Sequence, residues 1–291
     1  LSCNNRLSPL FIAEVSSNHD CDLGRCYKFI DTAARIGCGA VKFQLFRIDE
    51  LFAPEILERS EDHRNRVRWE LPESFIQPIA ERCRKQNVLF GCTPFYLDAV
   101  KILAPQVDFF KIASYELLWT ELLESCAASG KPVVLSTGMA DMNEIGAAVE
   151  TLRKAGCADL TLLHCVSGYP APVEQANLAA IETMRREFKC KIGWSDHTVS
   201  EGVVQRAVHK YDAQTVELHL DLDENGPEYD FGHCWLPHQL ERMIANTRLG
   251  VNADGNGIKA PTEAELPDRE WRADPKDGLR PLKSTRNTWK P

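Results

Sequence analysis

Two histidines, His197 in GWSDHT and His219 in VELHLD, close two successive apolar runs and are of the type that holds a divalent cation. If those runs are neighbouring strands, spaced roughly 4.8 Å apart, both imidazoles reach one ion at nitrogen-to-metal distances of about 2.1 Å. Two protein ligands leave positions open for water and substrate, as a catalytic ion requires. A pair of hydrogen-bonded core histidines is the plain structural alternative. His19 and His164 are weaker candidates, and a structural role serves His164 equally well, because it sits inside a run beside Cys165.

Lys42 and Lys111 interrupt the apolar runs AVKFQLF and FFKIAS. Lysine is rarely buried unless paired. Either each meets a carboxylate such as Glu14 or Glu116, forming a structural network, or both face an anionic ligand. Ser114, Ser136, Thr137 and Ser195 add hydroxyl donors suited to a phosphate. Glu14, Glu116 and Glu217 are candidate acid and base groups whose order depends on pKa and reach. Asn18, Tyr169 and Asp230 are of the type that orients a polyol through hydrogen bonds.

The elements that must position these groups are eight short β-rich runs, at 10–16, 40–46, 88–93, 107–114, 132–137, 160–166, 191–196 and 215–221. Between them lie segments such as LGRCYKFIDTAARIG and NEIGAAVETLRKAG, with apolar residues three or four apart and a closing Gly, the pattern of amphipathic helices. Strand and helix alternating in this way imply parallel pairing, and eight units predict a closed (β/α)₈ TIM barrel over residues 1–250. An open doubly wound sheet would need a phosphate-binding glycine signature, and no GxGxxG or GxxxxGK[ST] is found at the strand-to-helix turns. Barrel chemistry sits at the C-terminal strand ends, where these polar residues collect, with Thr93 closing the third run. Residues two apart on a strand share a face, so Lys42 with Gln44, Ser195 with His197 and Glu217 with His219 point together. The connection over 47–73 is long enough to be functional or mobile above the barrel mouth. Residues 251–291, rich in Pro, Gly and charge, predict a polar tail with one ordered turn and no separate domain.

With 291 residues, 44% hydrophobic and 26% charged, the composition is that of a globular protein. The net charge of −8 argues against binding nucleic acid or an anionic membrane. No apolar run approaches the ~20 residues that span a bilayer, and the N-terminal stretch does not read as a signal peptide. The 11 cysteines contain no CxxC pair, and Cys92 and Cys165 lie in apolar runs, so a reducing, cytoplasmic setting is expected.

The segments FIAEVSSNHD, VKFQLF, CTPF, FFKIASYEL, LSTGMA, LHCVSGYPAP, GWSDHT and VELHLDLDENGPEYDF resemble, in order, the barrel domain of the N-acetylneuraminate (sialic acid) synthase family over roughly residues 10–240. Members condense phosphoenolpyruvate with the aldehyde of an N-acylated hexosamine to give a 2-keto acid and phosphate. The resemblance implies that His197 and His219 hold Mn²⁺, or Mg²⁺ or Co²⁺ in its place. It implies that Lys42, Thr93, Lys111, Ser114, Ser136 and Ser195 surround phosphoenolpyruvate. Glu14, Gln44, Tyr169 and Asp230 would meet the sugar, with Glu116 and Glu217 near the reacting centre and Glu116 favoured for proton transfer. Subunit pairing as a homodimer is a further expectation.

Two departures bear on sugar recognition. The C-terminal antifreeze-like domain common in the family, whose Arg reaches the partner's site, is expected to be absent, with Arg280 or Arg286 as the substitute. The chain also reads VSGYP, with Ser167 and Gly168, where Asn often precedes the YP pair. Two rival readings remain open: a Schiff-base aldolase using Lys42 or Lys111 as nucleophile, and a barrel that binds sugar and phosphoenolpyruvate without turnover.

Overall fold

The computed structural model describes residues 8–290. Eight parallel strands close on themselves in chain order: β1 Leu10–Glu14, β2 Ala40–Leu45, β3 Leu89–Pro94, β4 Phe109–Ile112, β5 Val133–Ser136, β6 Leu160–Cys165, β7 Lys191–Asp196 and β8 Thr215–His219. β1 pairs with both β2 and β8, which completes the (β/α)₈ barrel expected from the alternating pattern. Local chemistry punctuates the helices between strands. Asp22 accepts the amide hydrogens of Gly24 and Arg25 at the start of the helix Leu23–Ile36. Asp141 and Glu144 form a reciprocal capping box on Met142–Lys154.

The period of two along each strand sorts side chains to two faces. Phe11, Val41, Phe43, Phe90, Phe110, Leu135 and Trp194 face outward and join the helices in the main apolar core. Facing inward, Ile12, Ala40, Phe109, Val134 and Leu163 form a separate apolar plug. One inward position nearer the C-terminal ends come Glu14, Lys42, Lys111, Ser136, Cys165 and Glu217, all buried. The apolar plug closes the barrel, so the charged layer above it opens only toward the C-terminal loops.

Two of those loops differ from a simple reading of their length. Residues 47–73 are built of short helical turns, Ile48–Leu51, Pro54–Arg59, Glu61–Arg64 and Asn65–Trp69. Cys21 Sγ contacts the carbonyls of Arg68 and Glu70, tying this segment to the loop after β1. After β8 the chain turns back, and Trp235 donates its N–H to the His219 carbonyl at 2.8 Å while its own carbonyl accepts from Asp221 at 3.0 Å.

Buried Asp196 fastens this return. Its carboxylate accepts from Trp194 Nε1 and Trp235 Nε1 at 3.0 Å each, from Thr198 Oγ1 at 2.7 Å and from the Val199 amide at 3.1 Å. Asp196→Ala strands two buried indole donors, at about 1–3 kcal/mol each. The expected result is a fall in Tm of roughly 10 °C, taking 2–4 °C per kcal/mol at this size. An unchanged midpoint in thermal unfolding would show that the indoles find other acceptors.

Residues 253–290 form a second compact unit with more order than one turn. It contains Glu263–Glu265, Arg269–Trp271 and the helix Lys283–Thr288. Arg286 is bound to Asp277 and to the Pro281 carbonyl at 2.6 Å each, so its guanidinium is engaged within this unit. The described cysteines are all free. Among the described residues no helix is long and apolar enough to cross a membrane.

Candidate active site

The floor of the site is a buried lattice of alternating charge. The Lys42 ammonium pairs with Glu14 and lies 3.9 Å from Glu217, and it donates to Thr93 Oγ1 at 3.0 Å. Lys111 lies 3.7 Å from the other oxygen of Glu217 and donates to the Ile112 carbonyl at 3.0 Å. Ser195 Oγ donates to Glu217 at 3.0 Å, and Gln44 Nε2 donates to Glu14 at 2.8 Å. Both lysines therefore meet carboxylates, but the partners are Glu14 and Glu217 rather than Glu116. Register sets this: Glu14 stands opposite Lys42, and Ser195 opposite Glu217.

These pairings shape the charges. Burial raises Glu14, against the pull of Lys42. Burial would also raise Glu217, but the two lysines outweigh it and hold this carboxyl below its usual range. Lys111 is lowered by burial, with Glu217 only partly offsetting. An ammonium has three donors, and the hydrogen bond recorded for Lys111 is the one to Ile112. The remainder suits an anion entering from above.

On the rim, His197 Nδ1 lies 2.7 Å from the Val166 carbonyl. A carbonyl only accepts, so Nδ1 carries the proton and Nε2 presents the lone pair. Glu228 Oε2, 3.3 Å from His219 Nδ1, imposes the same tautomer there. The ring centroids of these two histidines are 5.3 Å apart, and Tyr169 covers His197 at 4.2 Å. Burial and the neighbouring His219 push His197 down to about 3, so its imidazole is neutral at physiological pH. This donor set fits a divalent ion: two imidazoles with their second nitrogens fixed, beside carboxylates.

The opposite wall carries hydroxyls without partners. Ser136 Oγ, Ser167 Oγ and Glu116 Oε2 are buried with no protein hydrogen bond, as is Glu217 Oε2 on the floor below. Ser114 Oγ accepts the Gly138 N–H at 3.0 Å. A Cβ at Gly138 would lie 2.2 Å from Ser167 Oγ and 2.9 Å from Ser114 Oγ, so only glycine lets both hydroxyls crowd this turn. Unsatisfied buried polar atoms are costly, and their gathering on one wall points to a polar ligand. Burial lifts Glu116 to about 7, with Lys111 opposing.

Of the residues singled out in the sequence, Glu14, Lys42, Gln44, Thr93, Lys111, Ser195 and Glu217 form the bonded floor, and Tyr169, His197 and His219 the rim. Ser114, Ser136 and Glu116 line the wall. Asp230 does not join them: it is exposed in the turn Tyr229–Phe231. Glu228, two residues earlier, points in instead. Its amide donates to Asn18 Oδ1 at 2.9 Å and its carboxylate meets Ser16 Oγ, His219 and His233. The turn that aims it depends on Gly226, where a Cβ would lie 2.4 Å from both Asn18 Oδ1 and Asp221 Oδ1. The Gly-Pro-acid string in ENGPEYD was the available signal, but two acids share that loop and local sequence does not choose between them. Ser16 and His233 carried no signal of their own.

Residues 29–259 match the model of the NeuB family. The N,N'-diacetyllegionaminic acid synthase of Campylobacter jejuni is 33% identical over 269 residues, covering 88% of this chain and 80% of the relative. The N-acetylneuraminate-9-phosphate synthase of Drosophila melanogaster is 30% identical over 256 residues, 83% of this chain and 68% of the relative. The crystal structure of an N-acetylneuraminic acid (sialic acid) synthetase from Leptospira borgpetersenii, in complex with citrate, superposes with a TM-score of 0.80 at 31% identity. It covers 94% of this chain and 95% of that one.

Proposed function

The chain belongs to the NeuB family, and from that premise we propose that it condenses phosphoenolpyruvate with the open-chain aldehyde of an N-acylated amino sugar. The products are a sialic-acid-like 2-keto acid and phosphate. The observation that carries this reading is the buried Lys42–Glu14–Glu217–Lys111 lattice lying beneath His197 and His219 at the mouth of a plugged barrel.

In this reading Lys42 and Lys111, with Thr93, Ser114, Ser136 and Ser195, hold the phosphate and carboxylate of phosphoenolpyruvate. The floor is balanced, two lysines against two glutamates, so affinity comes from aimed donors in a dry site more than from net charge. Gln44, Glu14, Tyr169 and Glu228 face the sugar. His197 and His219 would hold a divalent ion, Mn²⁺ or else Mg²⁺ or Co²⁺, which would supply Lewis-acid polarisation of the aldehyde oxygen when bound. The methylene carbon of phosphoenolpyruvate forms the new bond to the aldehyde carbon, and protonated Glu116 gives its proton to the aldehyde oxygen. Water adds at C2 and gives one proton back to Glu116; the C2–oxygen bond to phosphate then breaks, and the remaining hydroxyl proton leaves with the phosphate as the C2 ketone forms. The barrel alone supplies all these groups.

Glu116 provides a pH test. Raised to about 7 by burial, it is a donor below that value and is lost as a donor above it. kcat/KM is expected to fall as pH rises through about 7, and Glu116→Gln to remove that limb along with 10²–10⁴-fold of rate. Stability moves in the same direction. A raised carboxyl stabilises the fold below its unfolded value near 4.5, and that contribution is lost as pH rises through about 7. The Tm of Glu116→Gln should therefore gain on wild type between pH 5 and 8. A parallel Tm difference across that range would refute the assignment.

A Schiff-base aldolase is the second reading, favoured by the lowered pKa of Lys111. Borohydride trapping of a keto acid on Lys111 would establish it, and chelator-sensitive phosphate release would exclude it.

A further inference from the structure

His233 is 3% exposed, and its Nδ1 is buried without a protein partner. Its Nε2 lies 3.5 Å from Glu228 Oε2, the oxygen that also meets His219 Nδ1 at 3.3 Å. A carboxylate oxygen accepts, so it draws the proton of each ring to the nitrogen that faces it. His219 is left with its lone pair on Nε2 and His233 with its lone pair on Nδ1. One oxygen thus sets the tautomers of two rings. Glu228 is itself anchored by Asn18 and Ser16, and the backbone bonds between Trp235 and His219 bring the returning loop against β8.

Ring spacing extends the cluster to His197. The centroid separations are 4.7 Å for His219–His233, 5.3 Å for His197–His219 and 6.4 Å for His197–His233. With about 2.1 Å from metal to nitrogen and about 1.1 Å from nitrogen to ring centre, two rings on one ion have centres no more than about 6.4 Å apart. The two shorter separations suit adjacent ligands and the longest suits opposite ones. Ligand atoms of His219, Glu228, His233 and Cys234, a group without His197, lie within 4.8 Å of one another, which places His233 beside His219 independently of the ring spacings. Cys234 Sγ is already engaged by Asn18 Nδ2 at 3.5 Å, whereas His233 Nδ1 has nothing. A buried lone pair with no donor is costly, and a cation satisfies it.

We propose that His233 is a third imidazole ligand of the divalent ion, joining His197 and His219, with Glu228 orienting two of the three rings. The proposal rests on the metal-bearing reading of the site.

The test counts imidazoles directly. The full chain is stripped with chelator and reloaded with Co²⁺ alone, its affinity is measured by calorimetry, and X-ray absorption reports the nitrogen-ring ligands. Three imidazoles are expected in wild type and two in His233→Ala, with Co²⁺ affinity at least tenfold weaker in the variant. His197→Ala should lose one ring as well, which calibrates the count. Two rings in wild type, or a sulfur scatterer at about 2.3 Å marking Cys234 as the ligand, would overturn the assignment. Tight Co²⁺ binding with two rings would remove His233 alone, whereas no Co²⁺ uptake by wild type would remove the metal-bearing reading with it. The wild-type count needs no variant, so a misfolded His233→Ala leaves the test decisive.

Discussion

Replacing His219 by alanine is expected to lower phosphate release from phosphoenolpyruvate and an N-acylated amino sugar by roughly 10³-fold, about 4 kcal/mol of barrier. His219 ends β8 opposite Glu14, and Glu228 holds its Nδ1 so that Nε2 faces outward. Its loss removes one metal donor and leaves Glu228 with fewer partners, among them His233 and Ser16. The fold should survive, because the apolar plug and the outer core do not include this ring. Wild type should lose activity in chelator and regain it with Mn²⁺, whereas the variant should respond to neither. A His219→Ala protein with full turnover in chelated buffer would end the metal-assisted mechanism.

Lys111→Met separates the two roles open to a buried lysine. If Lys111 binds phosphoenolpyruvate, its Kd should rise about 100-fold, or ~2.7 kcal/mol, with sugar binding little changed. The substitution also leaves Glu217 with only Lys42 as a cation, at 3.9 Å. Breaking a buried pair from one side costs about 3–5 kcal/mol, so the single variant should be less stable as well. Adding Glu217→Gln removes the uncompensated charge. The double variant should regain most of the stability and none of the phosphoenolpyruvate affinity. A purely structural lysine would show the opposite split: stability lost in the single variant, and an unchanged Kd for phosphoenolpyruvate measured by calorimetry.

The site places its charges on the most rigid part of the molecule. Glu14, Lys42, Lys111 and Glu217 lie on strands, directly above the apolar plug, and are tied both to neighbouring strands, as Lys42 is to Glu14 and Glu217 to Ser195, and across the barrel, as Lys111 is to Glu217. Tyr169, Glu228 and His233 come instead from loops. Strand ends hold reacting groups accurately, while loops can differ among relatives whose products differ.

How much was legible beforehand follows the range of the forces involved. The barrel could be read from the chain because a strand's two-residue period and a helix's three-to-four-residue period are local signals. Closure in chain order then puts every strand's C-terminal end at one mouth. Lys42, Lys111, His197 and His219 were visible for the same reason, as polar side chains in or just beyond apolar runs. Their partners were not. Whether Lys42 meets Glu14 or Glu116 depends on the register between strands, which a list of strands leaves open. Glu228 displaced Asp230 because Asn18, 210 positions away, takes its amide hydrogen and Gly226 admits the turn. His233 joined the histidines because Trp235 bonds back to β8. Periodic burial wrote the architecture into the order of residues, while the aim of each loop side chain was set by contacts that exist only once the distant segments have met.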